Sequence, residues 1–303
     1  WAKFYLKLFD HRNERQRSGI TKLSYYLPLT WQLYHEDIFT NLTYPIKNIS
    51  GDFKTSFDAF TTVIFNFIEG ETLADAHPFS DELLIEVAMG MANIHKLTSK
   101  IDQTSLPKET FDISFASSLK NYVMQLERPS AMDKRNLIIL KLREHILAYK
   151  ELIKTSLKYV TELQNIVCRR PNAYVLCHGD IWGGNMIRHG SDLFFIDWES
   201  VVMAPPEYDF YGYIDHGFDV FITAYEKQLN RPVKLNLDLI RFYSYRAHLI
   251  NLTNWIANIL YGNHPEAQVC NDLDMICNHC LNRIEPIETH TLSVKRFLSQ
   301  RSP

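Results

Sequence analysis

Three polar residues, Asp180, Asn185 and Asp197, occur in an order and at spacings that suit phosphoryl transfer. Asp180 comes shortly after an apolar run at 174–177, and Asn185 follows it in a polar loop. A second apolar run at 193–196 ends directly at Asp197. Runs of this length, separated by turn-forming residues, are typical of short strands. The pattern therefore predicts strand, polar loop, strand, turn and strand, with the second acid at the end.

Phosphoryl transfer depends on positioning and charge neutralisation more than on covalent help from the protein. Asp180 has the place of the carboxylate that orients the acceptor hydroxyl and takes its proton. Asn185 and Asp197 offer hard oxygen donors, which suit Mg²⁺. Gly183 and Gly184, which lie between Asp180 and Asn185, allow the loop to turn tightly. His178 stands where its imidazole could bind the loop backbone rather than move protons.

These motifs resemble those of the aminoglycoside phosphotransferase family, the kinase-like small-molecule kinases that also include the choline kinases. The resemblance rests on H-G-D-x4-N at 178–185 and I-D-W-E at 196–199. Protein kinases carry H-R-D-x4-N and D-F-G at the matching places, and the departures here point away from them. The resemblance implies that Asp180 is the catalytic base and that Asn185 and Asp197 are magnesium ligands.

The nucleotide-binding residues are predicted in the first part of the chain. Residues 3–9 have the aromatic and branched composition of a strand, and Lys7 stands in it between two leucines. By the resemblance, Lys7 steadies the phosphates of ATP, and a glutamate on the following helix, Glu14, pairs with it. Backbone groups of Asn66 and Ile68, at the connection between lobes, would meet the adenine. The choice of ATP over GTP stays open.

A glycine-rich loop that covers the nucleotide should precede Lys7, and no G-x-G-x-x-G occurs in the sequence. Trp1 is not a natural start, so we expect this loop to lie before it in a longer polypeptide. The resemblance implies an α+β, protein-kinase-like, two-lobed fold with ATP in the cleft. Residues 1–68 would form a small, incomplete β-rich lobe, and residues 69–303 a mainly helical lobe with the catalytic loop and the acceptor site.

Hydrophobic periodicity predicts the remaining elements. A strand is expected at 44–49 and another at 59–68. The helices are expected at 20–34, where Pro28 should interrupt the pattern, and at 83–97, 111–126, 137–167, 218–229, 237–260 and 269–284.

Composition narrows the classes of protein. The net charge of −3 argues against a nucleic-acid binder, and no apolar run approaches the roughly twenty residues of a membrane span. Five cysteines, an odd count, suggest reduced thiols in the cytoplasm. Cys277-x-x-Cys280 has metal-like spacing, but it lacks a second pair and reads as helix, so we expect buried thiols rather than zinc. Nothing indicates an oligomeric state.

The expected activity is ATP- and Mg²⁺-dependent transfer of the γ-phosphoryl to a hydroxyl of a small molecule. An aminoglycoside-type antibiotic is the first candidate acceptor, which would make the protein an antibiotic-resistance enzyme. The alternatives are a metabolite kinase for choline or ethanolamine, homoserine or methylthioribose, and a non-catalytic nucleotide-binding pseudokinase. Residues 171–303 have more acidic than basic side chains, which would attract a cationic acceptor. Candidate contacts for it are Glu199, Glu207 and Asp215.

Overall fold

The computed structural model of the protein describes residues 2–128, 136–262 and 264–301. The chain divides into two compact units. The first contains the chain up to Glu109 together with Ala173–Lys234, and the second contains Thr110–Asn172 and the residues from Leu235 onwards. Every residue proposed above for catalysis or binding lies in the first unit. The boundary proposed at residues 68 and 69 stays a prediction.

The first unit begins with an antiparallel sheet in the order β1-β3-β2. In β1 and β3, Lys7 lies opposite Val63 and Tyr5 lies opposite Phe65. Because side chains alternate along a strand, these four residues share one face of the sheet. The elements of this region are β1 (Phe4–Asp10), α1 (Glu14–His35), β2 (Thr55–Phe57) and β3 (Phe60–Asn66).

Helix α1 corrects one prediction, because it runs through Pro28 without a break. A proline inside a helix removes one backbone hydrogen bond and crowds the preceding turn, at a cost of about 3 kcal/mol. The helix buries Leu23, Leu27 and Leu33 almost completely, and burial of such side chains contributes roughly 1.5–3 kcal/mol each. Tertiary packing therefore outweighs the local signal.

The strand predicted at 44–49 is also wrong, because the segment makes only an isolated bridge between Pro45 and Phe65. The N–H of Ile46 donates to the Ile64 carbonyl at 2.7 Å, and the N–H of Asn66 donates to the Tyr44 carbonyl at 3.2 Å. These two bonds come from the neighbours of Pro45 and Phe65, so the missing N–H of Pro45 does not interrupt them. The segment still covers the edge of β3.

The predicted hairpin around the polar motif is confirmed. Strands β6 and β7 pair antiparallel, with His189 opposite Asp192 at the turn. A third strand, β4, pairs with β6, and β5 pairs with β8 in a separate ladder. The elements are β4 (Glu71–Thr72), α2 (Asp81–Lys96), β5 (Val175–Cys177), β6 (Met186–His189), β7 (Asp192–Phe195), β8 (Val202–Ala204), α6 (Glu207–Phe210) and α7 (Phe218–Leu229).

The second unit is helical within its described residues. The single helix predicted at 137–167 is wrong, because the chain leaves helical geometry at Tyr149, with φ −99° and ψ 12°. No glycine or proline marks this position in the sequence. The helices are α3 (Phe115–Glu127), α4 (Leu137–Ala148), α5 (Lys150–Val167), α8 (Leu237–Tyr261), α9 (Glu266–Asp274), a π-helical stretch (Met275–Cys280), α10 (Leu281–Ile284) and α11 (Ile287–Arg301).

None of the helices in the described part of the chain has the length and apolar character that crossing a membrane requires.

Candidate active site

The loop between β5 and β6 joins Asp180 to Asn185. One short helical turn at Gly183–Asn185 ends this loop. The Asn185 amide nitrogen donates to the Asp180 carboxylate at 2.8 Å and to the Asp180 carbonyl at 2.9 Å. Both bonds use the nitrogen of the amide, so its oxygen points to the other side. The arrangement orients the Asp180 carboxylate and presents an oxygen donor of Asn185 for a cation.

Asp197 lies directly beyond β7 in a left-handed backbone conformation, with φ 60° and ψ 61°. Few non-glycine residues adopt this conformation, although aspartate tolerates it better than most. The neighbouring Ile196 N–H donates to the Asn185 carbonyl at 2.9 Å, and the Trp198 indole donates to the Phe195 carbonyl at 2.9 Å. These bonds hold Asp197 beside the loop that carries Asn185.

The Lys7 ammonium binds two carboxylates. It lies 2.9 Å from Oδ1 of Asp197 and 2.8 Å from Oε2 of Glu199. Burial by itself lowers the pKa of Lys7, but the two carboxylates outweigh burial and leave the pKa above its usual value. Lys7 therefore stays charged. Glu199, which is expected to contact the acceptor, binds this lysine, and its contact with an acceptor stays a prediction.

Glu14, the residue predicted to pair with Lys7, is the first residue of α1. Its side chain lies outside the described residues, so its pairing with Lys7 stays a prediction.

The pKa of Asp180 is raised to about 6. Burial is the largest cause, because it disfavours the charged form. The hydrogen bond from Asn185 lowers the pKa, whereas the nearby carboxylates of Asp197 and Glu199 raise it. A carboxylate with this pKa is mostly ionised at neutral pH and is a better proton acceptor than an ordinary aspartate.

Asp209, a buried carboxylate in α6, supports the backbone of the loop that carries Asp180. Its two oxygens accept the N–H groups of His178 and Gly179, each at 2.9 Å. The same carboxylate lies 3.0 Å from Nε2 of His95, and the Tyr225 hydroxyl lies 2.6 Å from the other ring nitrogen. These contacts give the buried Asp209 and His95 a structural role. The chain of bonds fixes where the loop begins.

His178 ties the loop to the segment after β7. Its Nδ1 accepts the Asp180 N–H at 3.3 Å, so its Nε2 carries the hydrogen that meets the Ile196 carbonyl at 3.0 Å. Burial lowers the pKa of His178, which keeps the ring neutral. This is a positioning role, as the sequence suggested.

Gly179 explains one departure from the protein-kinase motif. Its φ is 86°, and a Cβ at this position would collide with the Ser200 carbonyl oxygen. An arginine there, as in H-R-D, would therefore need a different backbone.

A cavity of about 340 Å³ opens next to these groups, a volume within the range of small-ligand pockets. Lys7, Asn185 and Asp197 lie on its polar side, and its walls include Phe65, Ile187 and Ile196. Both predicted hinge residues line it as well. The Asn66 N–H already donates to the Tyr44 carbonyl, and the contacts of Asn66 and Ile68 backbone groups with a base stay predictions.

The other two predicted acceptor residues lie in different surroundings. Glu207 is only 3% exposed. Asp215 is accessible and lies 3.5 Å from His77 in an ion-pair geometry. The three carboxylates therefore lie in different environments, with Glu199 on Lys7, Glu207 buried and Asp215 beside His77.

Two residues near the site were not anticipated. Trp182, two positions after Asp180, is 52% exposed, and its ring packs so closely on Gly184 that a Cβ there would collide with it. Its position between Asp180 and the glycine pair could have identified Trp182 from the sequence. Tyr26 of α1 reaches the cavity, and no local pattern distinguishes it from a core tyrosine.

Comparison with solved structures shows which fold this is. A spectinomycin phosphotransferase in complex with ADP and spectinomycin superimposes with a TM-score of 0.73 at 15% identity, covering 95% of this chain and 86% of that one. A microcompartment-associated aminopropanol kinase gives 0.62 at 12% identity, covering 96% and 88%. Choline kinase from Cryptosporidium parvum gives 0.55 at 15%, covering 92% and 81%. The predicted kinase-like α+β fold is confirmed.

At such low identities these likenesses establish the fold alone, and comparison with curated proteins gives no match. The sequence model of the phosphotransferase enzyme family, APH, matches residues 46–234, a stretch that includes Asp180, Asn185 and Asp197. The resemblance inferred from the motifs is confirmed, and the chain belongs to the phosphotransferase enzyme family.

Proposed function

We propose that the protein is a small-molecule kinase that moves the γ-phosphoryl of ATP to a hydroxyl in the presence of Mg²⁺. The observation that carries this proposal is the convergence of Lys7, Asn185 and Asp197 on one cavity, with Asp180 bonded to Asn185. Family membership supports the reaction class, and the ADP bound to the spectinomycin phosphotransferase supports an adenine nucleotide. GTP stays open as an alternative donor.

The residues around the cavity fit a metal-bound nucleotide. Phe65, Ile187 and Ile196 provide apolar surface for a base, and the Lys7 ammonium attracts the phosphates. The amide oxygen of Asn185 and the carboxylate of Asp197 form a hard donor set that suits Mg²⁺. The bound ion would neutralise and orient the phosphate oxygens.

Asp180 acts on the acceptor. Its carboxylate is held by Asn185 and accepts the proton of the acceptor hydroxyl, while its charge aligns that hydroxyl with the phosphoryl group. The bonds of Asp209 to the loop backbone fix the position from which it does so.

The surface next to Asp180 favours a cationic acceptor. The exposed indole of Trp182, two residues after Asp180, can stack on an ammonium group. Asp215, elsewhere in the same unit, offers an accessible carboxylate that such an acceptor would attract. An aminoglycoside-type antibiotic remains the first candidate, and choline or ethanolamine, homoserine and methylthioribose remain alternatives. Five free cysteines support a reducing compartment such as the cytoplasm.

The test is a turnover assay with Mg²⁺ and ATP against this panel of acceptors, with wild type and the Asp180→Asn variant. We expect turnover with one acceptor. The variant should lose about 10²–10⁴-fold of it, while its nucleotide affinity stays within about twofold. Asp192→Asn is the matched control and should behave as wild type, because Asp192 is an exposed acid at the start of β7.

Two results would contradict the proposal. If Asp180→Asn lost nucleotide affinity as well, the base would be misassigned. If wild type bound nucleotide tightly and phosphorylated no acceptor in a wider panel, the non-catalytic alternative would be favoured.

A further inference from the structure

The hydroxyl of Tyr26 is a buried polar group with no hydrogen-bond partner among the described residues. Tyr26 is 2% exposed and belongs to α1, the helix that packs beside β1. It lines the same cavity as Lys7 and Asp197. Buried polar groups are nearly always satisfied in folded proteins, so this hydroxyl calls for an explanation.

Packing does not account for the hydroxyl. Phenylalanine would fill the same space and would leave no donor unsatisfied, which favours stability. Thr30, the other α1 residue at the cavity, shows the usual solution, because its hydroxyl donates to the Tyr26 carbonyl at 2.9 Å. Tyr26 instead keeps a donor next to the cavity.

The surroundings of the phenol are anionic. Burial, and after it the carboxylates of Glu199 and Asp197, raise the pKa of Tyr26. The phenol therefore stays protonated, and it is available as a donor to a negatively charged group. The Lys7 ammonium, which binds both of these carboxylates, lines the same cavity as Tyr26.

We propose that the Tyr26 hydroxyl is a binding group for the phosphate end of the nucleotide, to which it donates a hydrogen bond directly or through one ordered water. This inference rests on the function proposed above. It gives α1 a role in the site that is independent of Glu14. It also explains why a tyrosine occupies a position that packing alone would give to phenylalanine.

The test is the Tyr26→Phe variant, with Tyr25→Phe as the matched control. Tyr25 is the neighbouring tyrosine on α1 and does not line the cavity. Calorimetry would measure the affinity for Mg²⁺ with a non-hydrolysable ATP analogue and, separately, for adenosine. Urea denaturation without nucleotide would measure stability.

We expect Tyr26→Phe to bind the ATP analogue about tenfold more weakly, the loss of one hydrogen bond to a charged group. Adenosine affinity should not change, and the urea midpoint should be equal or higher. Tyr25→Phe should match wild type in both affinities.

Each other outcome overturns the inference in a distinct way. Equal loss for adenosine would place the phenol at the base or ribose. Unchanged affinity for the analogue would leave the hydroxyl without a binding role. A lower urea midpoint would show that the hydroxyl has a partner within the protein. Failure of wild type to bind any nucleotide would overturn the proposed function together with this inference.

Discussion

Oε2 of Glu199 lies 2.8 Å from Nζ of Lys7, although 192 residues separate them in the sequence. In protein kinases the matching lysine pairs with a glutamate on the helix that follows its strand. Here the carboxylate comes from the segment after β7, two residues beyond Asp197. One segment therefore supplies both carboxylates that hold Lys7, so the lysine and the proposed metal ligand are positioned together.

This pairing predicts the effect of Glu199→Gln. The amide is nearly isosteric but removes one of the two charges that hold the Lys7 ammonium. Loss of one partner of a partly buried ion pair should weaken binding of the Mg²⁺–nucleotide complex about tenfold, as measured by calorimetry. The urea midpoint should change little.

Glu151→Gln is the control for that variant. Glu151 forms an exposed pair with Lys154 on α5, and exposed pairs contribute about 0–1 kcal/mol. Nucleotide affinity in Glu199→Gln equal to that in the control would mean that Lys7 does not depend on Glu199.

The sequence predicted Lys7 and Asp197 but not the bond between Lys7 and Glu199. The motif residues follow short apolar runs, so local periodicity was enough to place them on a hairpin and its loop. The partner of Lys7 is decided by how β1 lies against the segment after β7, and no local pattern encodes that. The sequence did not predict Tyr26 for the same reason. The hydrophobic pattern of a helix does not show which of its buried residues faces a cavity.

The contacts of the Asp209 carboxylate lead to a second prediction, for the stability and activity of the Asp209→Asn variant. The amide nitrogen would face one of the two N–H groups, of His178 or of Gly179, that the carboxylate now accepts. A buried donor facing a donor should cost about 2–4 kcal/mol of unfolding free energy. Single-turnover rates should fall more than nucleotide affinity, because the loop that carries Asp180 loses its support.

Tyr225→Phe separates this effect from general loosening of the core. It removes only the hydroxyl that meets His95 and should cost about 1 kcal/mol. If Asp209→Asn were no more damaging than Tyr225→Phe in urea denaturation, Asp209 would not be what supports the loop.

Trp182→Ala tests the acceptor side of the site. The exposed indole is available for a cation–π contact worth about 0.5–2 kcal/mol. The KM for a cationic acceptor should therefore rise about 2–30-fold, with kcat and the KM for ATP close to wild type. Trp182→Phe should fall between the two. A neutral acceptor that lost as much as a cationic one would show that the indole contributes shape and not charge recognition.

The raised pKa of Asp180 predicts an unusual dependence of protein stability on pH. Its folded pKa of about 6 lies above the value of about 3.9 expected in the unfolded chain. Between these values the folded state binds more protons, so this group stabilises the protein below about pH 4 and the contribution disappears as pH rises through 6. At neutral pH the buried charge is therefore a cost, which Asp180→Asn removes while still accepting the bond from Asn185.

The variant should be more stable than wild type by about 1–3 kcal/mol at pH 7.5, and the difference should fade towards pH 4. Urea denaturation without Mg²⁺ measures it, since a bound cation would lower the pKa of Asp180. Asp10→Asn is a control of opposite sign. A hydrogen bond from Arg12 lowers the pKa of Asp10 to about 2, so that variant should lose stability at neutral pH and recover as the pH falls. A gain for Asp180→Asn that was the same at pH 4 and pH 7.5 would mean that burial does not raise the pKa of Asp180.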